Sequence, residues 1–219
     1  MIGIDEVGRG ALAGPVVVAA VLVPARRAAW LTAEERRAGA LRDSKKLTPA
    51  ARTRWNAHFL ASAEIGVAVA RVYPHGIDRI NISQAANRAA ARALARLAAA
   101  YALDLGRVEV VLDGGLFVGG RAAQARRVPR ARTVVKADET VPAVAAASIV
   151  AKVARDRYMA RLAHRWPAYG FEIHKGYGTA AHRAALAQTG PCAAHRLTFL
   201  RRAPIVESKK TSSNSSYNL

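Results

Sequence analysis

The sequence predicts an α/β fold, one sheet with a helical C-terminal part. Two observations carry this. Strand-length apolar segments cluster early in the chain, and from residue 108 onward short β-branched runs alternate with helical patterns. With 52% apolar residues among 219, the chain can also bury a substantial core. Residues 1–5 form the first strand, a short apolar segment running into Asp5 and Glu6. Residues 15–23, rich in valine, read as a buried strand, and residues 64–73 as a third with partial alternation. Between these two, Thr48-Pro49 opens a helix, with Thr as N-cap and Pro at the first helical position. Residues 81–103 form a helix rich in Ala, Leu and Arg, with Ser83 as the expected cap. Residues 108–112 (VEVVL) form a strand closed by Asp113-Gly114-Gly115, and residues 133–136 form another after a Gly- and Arg-rich loop. A long helix over 142–166 carries small residues on one side and Lys152, Arg155 and Arg157 further along. One more helix lies within 176–190, capped by Thr179. Residues 1–202 are expected to form one domain, with its helical part from about 160, and 203–219 a disordered tail whose end, 208–219, is polar and low in complexity.

The charge points to a partner. Thirty-four basic residues against 15 acidic give a net charge of +19. On a folded domain this favours a polyanion, nucleic acid first. The single cysteine, Cys192, excludes a disulfide framework and a multi-cysteine zinc site, and fits a reducing compartment. Asp5 and Glu6 stand where a secretory signal would be positive, and the longest apolar run, 11–23, is broken by Gly14-Pro15 and too short for a bilayer. The expectation is a cytoplasmic monomer with no membrane partner and no obligate protein partner.

The scarce acids are placed unevenly. Glu34, Glu35, Glu64, Asp78 and Glu172 lie in polar contexts and are expected to be solvated. Asp5 and Glu6, Asp113, and Asp138 instead follow three separate strand patterns. Strand ends of an α/β sheet converge where ligands bind. Carboxylates brought that close repel, and a divalent cation resolves the repulsion. Oxygen ligands without His or Cys favour Mg²⁺ or Mn²⁺, and on a basic surface such a site suits phosphodiester chemistry. The competing reading pairs each acid with one of the many arginines. Adjacent strand residues face opposite ways, so Asp5 is the stronger ligand candidate and Glu6 reaches the same site only if the strand ends or twists there. Gly8 and Gly10 make that turn easy. His174 and His182 are expected at the surface or as caps, and neither is assigned a metal.

Six blocks occur in order: GIDEVGRGALAGP (3–15), DSKKL (43–47), LDG (112–114), KAD (136–138), AAASIVAKVARD (145–156) and HKGYGT (174–179). Together they resemble the ribonuclease HII family. The resemblance runs from residue 1 to about 202, with Gly115 standing where an asparagine is common. It implies an RNase H-like mixed five-stranded sheet flanked by helices. It also implies cleavage of RNA in RNA–DNA hybrids and incision 5′ of single ribonucleotides in duplex DNA, leaving 5′-phosphate and 3′-hydroxyl ends. By the same resemblance Asp5, Glu6, Asp113 and Asp138 are the catalytic and metal-binding acids, with Mn²⁺ or Mg²⁺ as cofactor. Gly8, Arg9 and Gly10 would recognise the ribose 2′-hydroxyl, with Tyr177 stacking on the sugar. Ser44, Lys45 and Lys46 would contact phosphates, and Lys152 would do so or balance the acids. Two rival functions stay open: a basic nucleic-acid-binding protein without catalysis, and an RNase H-like nuclease acting on DNA.

Overall fold

The computed structural model describes residues 1–24, 41, 44–118 and 128–201. Five strands, β1 (Ile2–Val7), β2 (Val16–Leu22), β3 (Gly66–Val72), β4 (Val110–Asp113) and β5 (Ala131–Val134), form one sheet in the order β3-β2-β1-β4-β5. β1 pairs antiparallel with β2, and β2 with β3, whereas β1 with β4 and β4 with β5 pair parallel. The sheet is therefore mixed, as expected.

Helices cover both faces, and that is why β2 is almost continuously apolar. On one face lies α3 (Ile82–Ala100), whose Ala85, Ala86, Ala89, Ala90 and Ala93 let it settle closely on Ile2, Ile4, Val110 and Leu112. On the other lie α1 (Pro49–Ala61) and the long α5 (Pro142–Arg165), joined by Trp55, Phe59, Ala146, Ala147 and Val150 over Ala19 and Val21. A Cβ on Gly3 would stand 2.1 Å from the carbonyl carbon of Ala143, so the start of α5 rests directly on the β1 backbone. Thr48 and Thr179 cap α1 and α7 (Ala180–Thr189) as expected.

Several local expectations are corrected. A short helix, α2 (Pro74–Ile80), precedes α3. The α3 cap is Asn81, with φ 64° and its side chain accepting from the Gln84 N–H at 3.0 Å; Ser83 lies inside the first turn. β5 begins and ends two residues early. Lys136 then turns through φ 55° into α4 (Ala137–Thr140), so Asp138 belongs to a short helix and not to a strand end. The C-terminal part adds α6 (Phe171–His174), α7 and α8 (Leu197–Leu200), packed with the end of α5 around Met159, Phe171, Leu186 and Leu200. No helix among the described residues is long and apolar enough to cross a membrane. Glu34, Glu35, Asp43, Arg202 and the 203–219 tail lie outside the described residues.

Candidate metal centre and recognition loop

The sheet register builds the acidic site. The β1–β4 ladder ends with Ile4 opposite Leu112, so Asp5 and Asp113 stand side by side one position further, at the carboxyl ends of two parallel strands. Ile4 and Leu112 point into the α3 core, so by alternation the next residues face α5. There the Ser148 hydroxyl of α5 bonds Asp5. Glu6 joins them although it is adjacent to Asp5. Oxygens of Asp5, Glu6 and Asp113 all lie within 4.8 Å of one another. The strand ends at Val7 and turns at Gly8, φ 88°, and the longer glutamate side chain reaches round that end.

The electrostatics of this cluster call for a cation. Burial, and then the Glu6 charge, hold the Asp5 carboxyl well above its ordinary value, with Asp113 adding to the effect and Ser148 opposing it. Glu6 is also raised, first by burial; the Arg9 guanidinium, 3.4 Å from Oε1, pulls it back down. Its other oxygen, Oε2, is buried without a hydrogen-bond partner. Three convergent carboxylates, one with an orphaned oxygen and none accompanied by His or Cys, fit a hard divalent cation.

Asp138 is not part of this trio. It is buried beside it on α4, with Lys45 Nζ at 3.7 Å from Oδ2. The link to the cluster is one residue away: Asp113 Oδ1 accepts from the Ala137 N–H at 2.8 Å, tying the start of α4 to the site.

Gly8-Arg9-Gly10 follows β1 directly. Arg9 reaches back to Glu6 and across to the Gly115 carbonyl at 3.1 Å and Ser83 Oγ at 3.4 Å. Gly115, φ 88°, thus serves as an anchor for Arg9. Gly10 is exposed, with nothing within 4 Å of where a Cβ would lie. The Tyr177 segment docks on the same loop, because the Gly176 carbonyl accepts from Leu12 and Ala13 at 2.8 and 3.2 Å. Tyr177 remains 37% exposed, its ring 5.2 Å from the Arg155 guanidinium.

The basic candidates divide. Lys45 and Lys46 are largely exposed, Lys46 pairing with Glu139 at 3.2 Å. The structure does not bring Ser44 or Lys152 to an open surface position. Ser44 is buried against Ser148 at 2.8 Å, one step behind Asp5, and Lys152 pairs with Asp156 one turn along α5. Burial lowers the Lys152 ammonium.

Sequence reasoning missed two buried arginines. Arg196 donates to the carbonyls of Gly8, Arg9 and Gly14, and Arg155 to those of Ala13 and Pro15. Nothing local in the sequence sets them apart from the other arginines. The histidine expectation is also corrected. His174, His182 and His195 are buried, with His182 and His195 Nε2 atoms 3.1 Å apart and His182 Nδ1 3.0 Å from the Tyr177 carbonyl. Asp78 is not merely solvated. It accepts from the Leu197 and Thr198 N–H groups at the start of α8.

The ribonuclease HII family model matches residues 2–202. A ribonuclease HII of Nitratidesulfovibrio vulgaris is 43% identical over 215 residues, covering 95% of this chain and 90% of the relative. The fold is similar to RNase HII in the structure of the PCNA:RNase HII complex from Archaeoglobus fulgidus, with TM-score 0.68 at 24% identity over 95% of this chain and 98% of that one. It is also similar to Bst-RNase HIII in complex with Mn²⁺, with TM-score 0.68 at 24% identity over 90% of this chain and 66% of that one. With a sequence match that spans both halves of the acidic site and the loop beside it, the chain belongs to the ribonuclease HII family, hydrolases that act on RNA–DNA hybrids.

Proposed function

We propose that the protein cuts the RNA strand of hybrids and also incises duplex DNA 5′ of a single embedded ribonucleotide, leaving 5′-phosphate and 3′-hydroxyl ends. The observation that carries this is the juxtaposition of the Asp5-Glu6-Asp113 cluster with the Gly8-Arg9-Gly10 loop, which opens to solvent at Gly10, linked by the Arg9–Glu6 contact. Asp5, Glu6 and Asp113, with Asp138 from α4, would hold the divalent ions, Mg²⁺ or Mn²⁺. When bound, these supply an activated water and neutralise the departing 3′-oxygen.

The chain's own residues do the rest. Ser148 orients the Asp5 carboxyl and the Ala137 N–H fixes that of Asp113, so the ligand oxygens are aimed before substrate arrives. Glycine at 10, with open space beside it, lets main-chain groups approach the sugar, whose 2′-hydroxyl both donates and accepts, while glycine at 8 lets the turn pack against Arg155. Tyr177 offers its exposed face for stacking on that sugar. Lys45 and Lys46 are placed to meet phosphates at the rim. Ser44 serves from behind through Ser148, while Lys152 is held by Asp156 on α5. Residues 1–202 would act as one catalytic unit, as a monomer, with nucleic acid as its partner. A cytoplasmic location fits the single cysteine.

The test is a duplex carrying one ribonucleotide beside its all-DNA counterpart. Cleavage is expected 5′ of the ribonucleotide, with the all-DNA duplex intact. Equal cutting of both would favour the DNA-directed nuclease, and binding without cutting would favour the non-catalytic binder.

A further inference from the structure

We propose that Arg196, 187 residues from Arg9 in sequence, is the positioning residue that aims the Gly8-Arg9-Gly10 main chain at the ribonucleotide. This rests on the ribose-recognition reading above. The Arg196 side chain is fully buried, and its described hydrogen bonds all go to one loop. Nη2 donates to the Gly8 carbonyl at 2.7 Å and to the Gly14 carbonyl at 2.9 Å. Nη1 donates to the Arg9 carbonyl at 2.8 Å, and Nε to Gly14 at 3.0 Å. No carboxylate forms an ion pair with it among the described residues, so main-chain oxygens do most to offset the cost of burying the charge, helped by the Phe199 ring at 5.1 Å and the nearby Asp78 charge.

Peptide geometry turns that clamp into an aiming device. There is no cis peptide in the described chain, and in a trans peptide the C=O of one residue and the N–H of the next point in opposite directions. Drawing the Gly8 and Arg9 carbonyls inward therefore turns the N–H groups of Arg9 and Gly10 outward. Neither N–H has an acceptor among the described residues, and the space beside Gly10 is open. Two adjacent free donors thus face away from the core beside the acidic cluster. The ligand chemistry this fits is an oxygen acceptor on a nucleotide sugar.

Arg196 is itself held in place. Its own N–H donates to the Leu12 carbonyl at 2.8 Å, and Asp78 caps the helix that begins at the next residue. Arg155 performs the matching task at the far end of the loop, binding Ala13 and Pro15 while lying against the Tyr177 ring. A lysine at 196 keeps the charge but lacks the planar fork, and its three donors cannot reproduce the four hydrogen bonds that Arg196 makes to three carbonyls.

The experiment compares wild type with Arg196→Lys on a duplex with one ribonucleotide and on all-DNA duplex, alongside Mn²⁺ affinity. The variant should lose about 10- to 100-fold in kcat on the ribonucleotide duplex, the equivalent of one or two well-aimed hydrogen bonds. Its affinity for all-DNA duplex and for Mn²⁺ should stay within about twofold of wild type, well inside 1 kcal/mol. Wild-type turnover by the variant overturns the proposal, and so does a parallel loss of duplex affinity, metal affinity and turnover, since that marks a general scaffold. If the variant does not fold, amide hydrogen exchange on the wild type decides. The Arg9 and Gly10 N–H groups should exchange freely in the unbound protein. They should become protected by the ribonucleotide duplex in chelator and not by all-DNA duplex. Protection in the unbound protein, or none with the ribonucleotide duplex, overturns it. Equal cutting of both duplexes by the wild type instead defeats the ribose-recognition reading, whatever Arg196 does.

Discussion

Replacing Asp5 by Asn should leave the metal-free protein more stable and inactive. Asp5 is buried with two further carboxylates whose oxygens lie within 4.8 Å. Two unit charges at 4.8 Å repel by about 3 kcal/mol at an effective dielectric of about 20. Arg9 offsets part of the cluster's charge, so a gain of about 1–3 kcal/mol is expected. For a chain of this size that raises the Tm by about 2–12 °C. Asparagine keeps the Oδ1 that accepts from the Glu6 N–H at 2.7 Å, so geometry is preserved while charge is lost. The sign follows from the direction of the shift. A carboxyl raised in the folded state contributes its stability in full below its unfolded value of 3.8, and that contribution fades as pH rises through the folded value. The advantage of Asp5→Asn should therefore widen from pH 4 toward pH 8 in chelator, and shrink or reverse with Mn²⁺. Thermal melts across that range provide the assay. A variant that melts below wild type at pH 8 in chelator, or a gap that does not change with pH, would refute the reasoning.

Two other outcomes follow from the packing. Gly3→Ala should cost about 3 kcal/mol by urea unfolding, because the new methyl meets the Ala143 carbonyl at 2.1–2.2 Å and must push α5 off the sheet; a change below about 1 kcal/mol would count against that contact. Burial lowers His182 to about 4 from 6.5, so its neutral ring contributes stability that is present above 6.5 and lost as pH falls toward 4. Between pH 7 and 4.5 the wild type should lose about 2–3 kcal/mol more than His182→Gln. Equal losses would show that the ring is not held neutral.

The strands and the chemistry were readable because each rests on local patterns. Short apolar runs, valine-rich in β2 and β4, marked β1, β2 and β4, and Asp5 and Asp113 stood out as acids at the ends of apolar segments in a chain short of acids. What stayed hidden depends on tertiary contact. Nothing local marks Asn81 over Ser83 as the α3 cap, since the choice turns on a positive φ. Asp138 looked like a strand end because TVV carries a strand pattern, yet the chain turns at Lys136 into a short helix first. Ser44 and Lys152 looked like phosphate contacts because their sequence neighbourhoods are basic, while the partners that claim them, Ser148 and Asp156, are chosen by the fold or by the helix turn. Arg155 and Arg196 could not be told from the many surface arginines, because their partners are carbonyls more than a hundred residues away.

Mn²⁺ titration of the metal-free protein, followed by the electron paramagnetic resonance signal of free Mn²⁺, bears most directly on whether these carboxylates form a metal centre. Saturable uptake by the wild type, greatly weakened in folded Asp5→Asn and in folded Asp113→Asn, is expected. Unchanged uptake by both folded variants would contradict it.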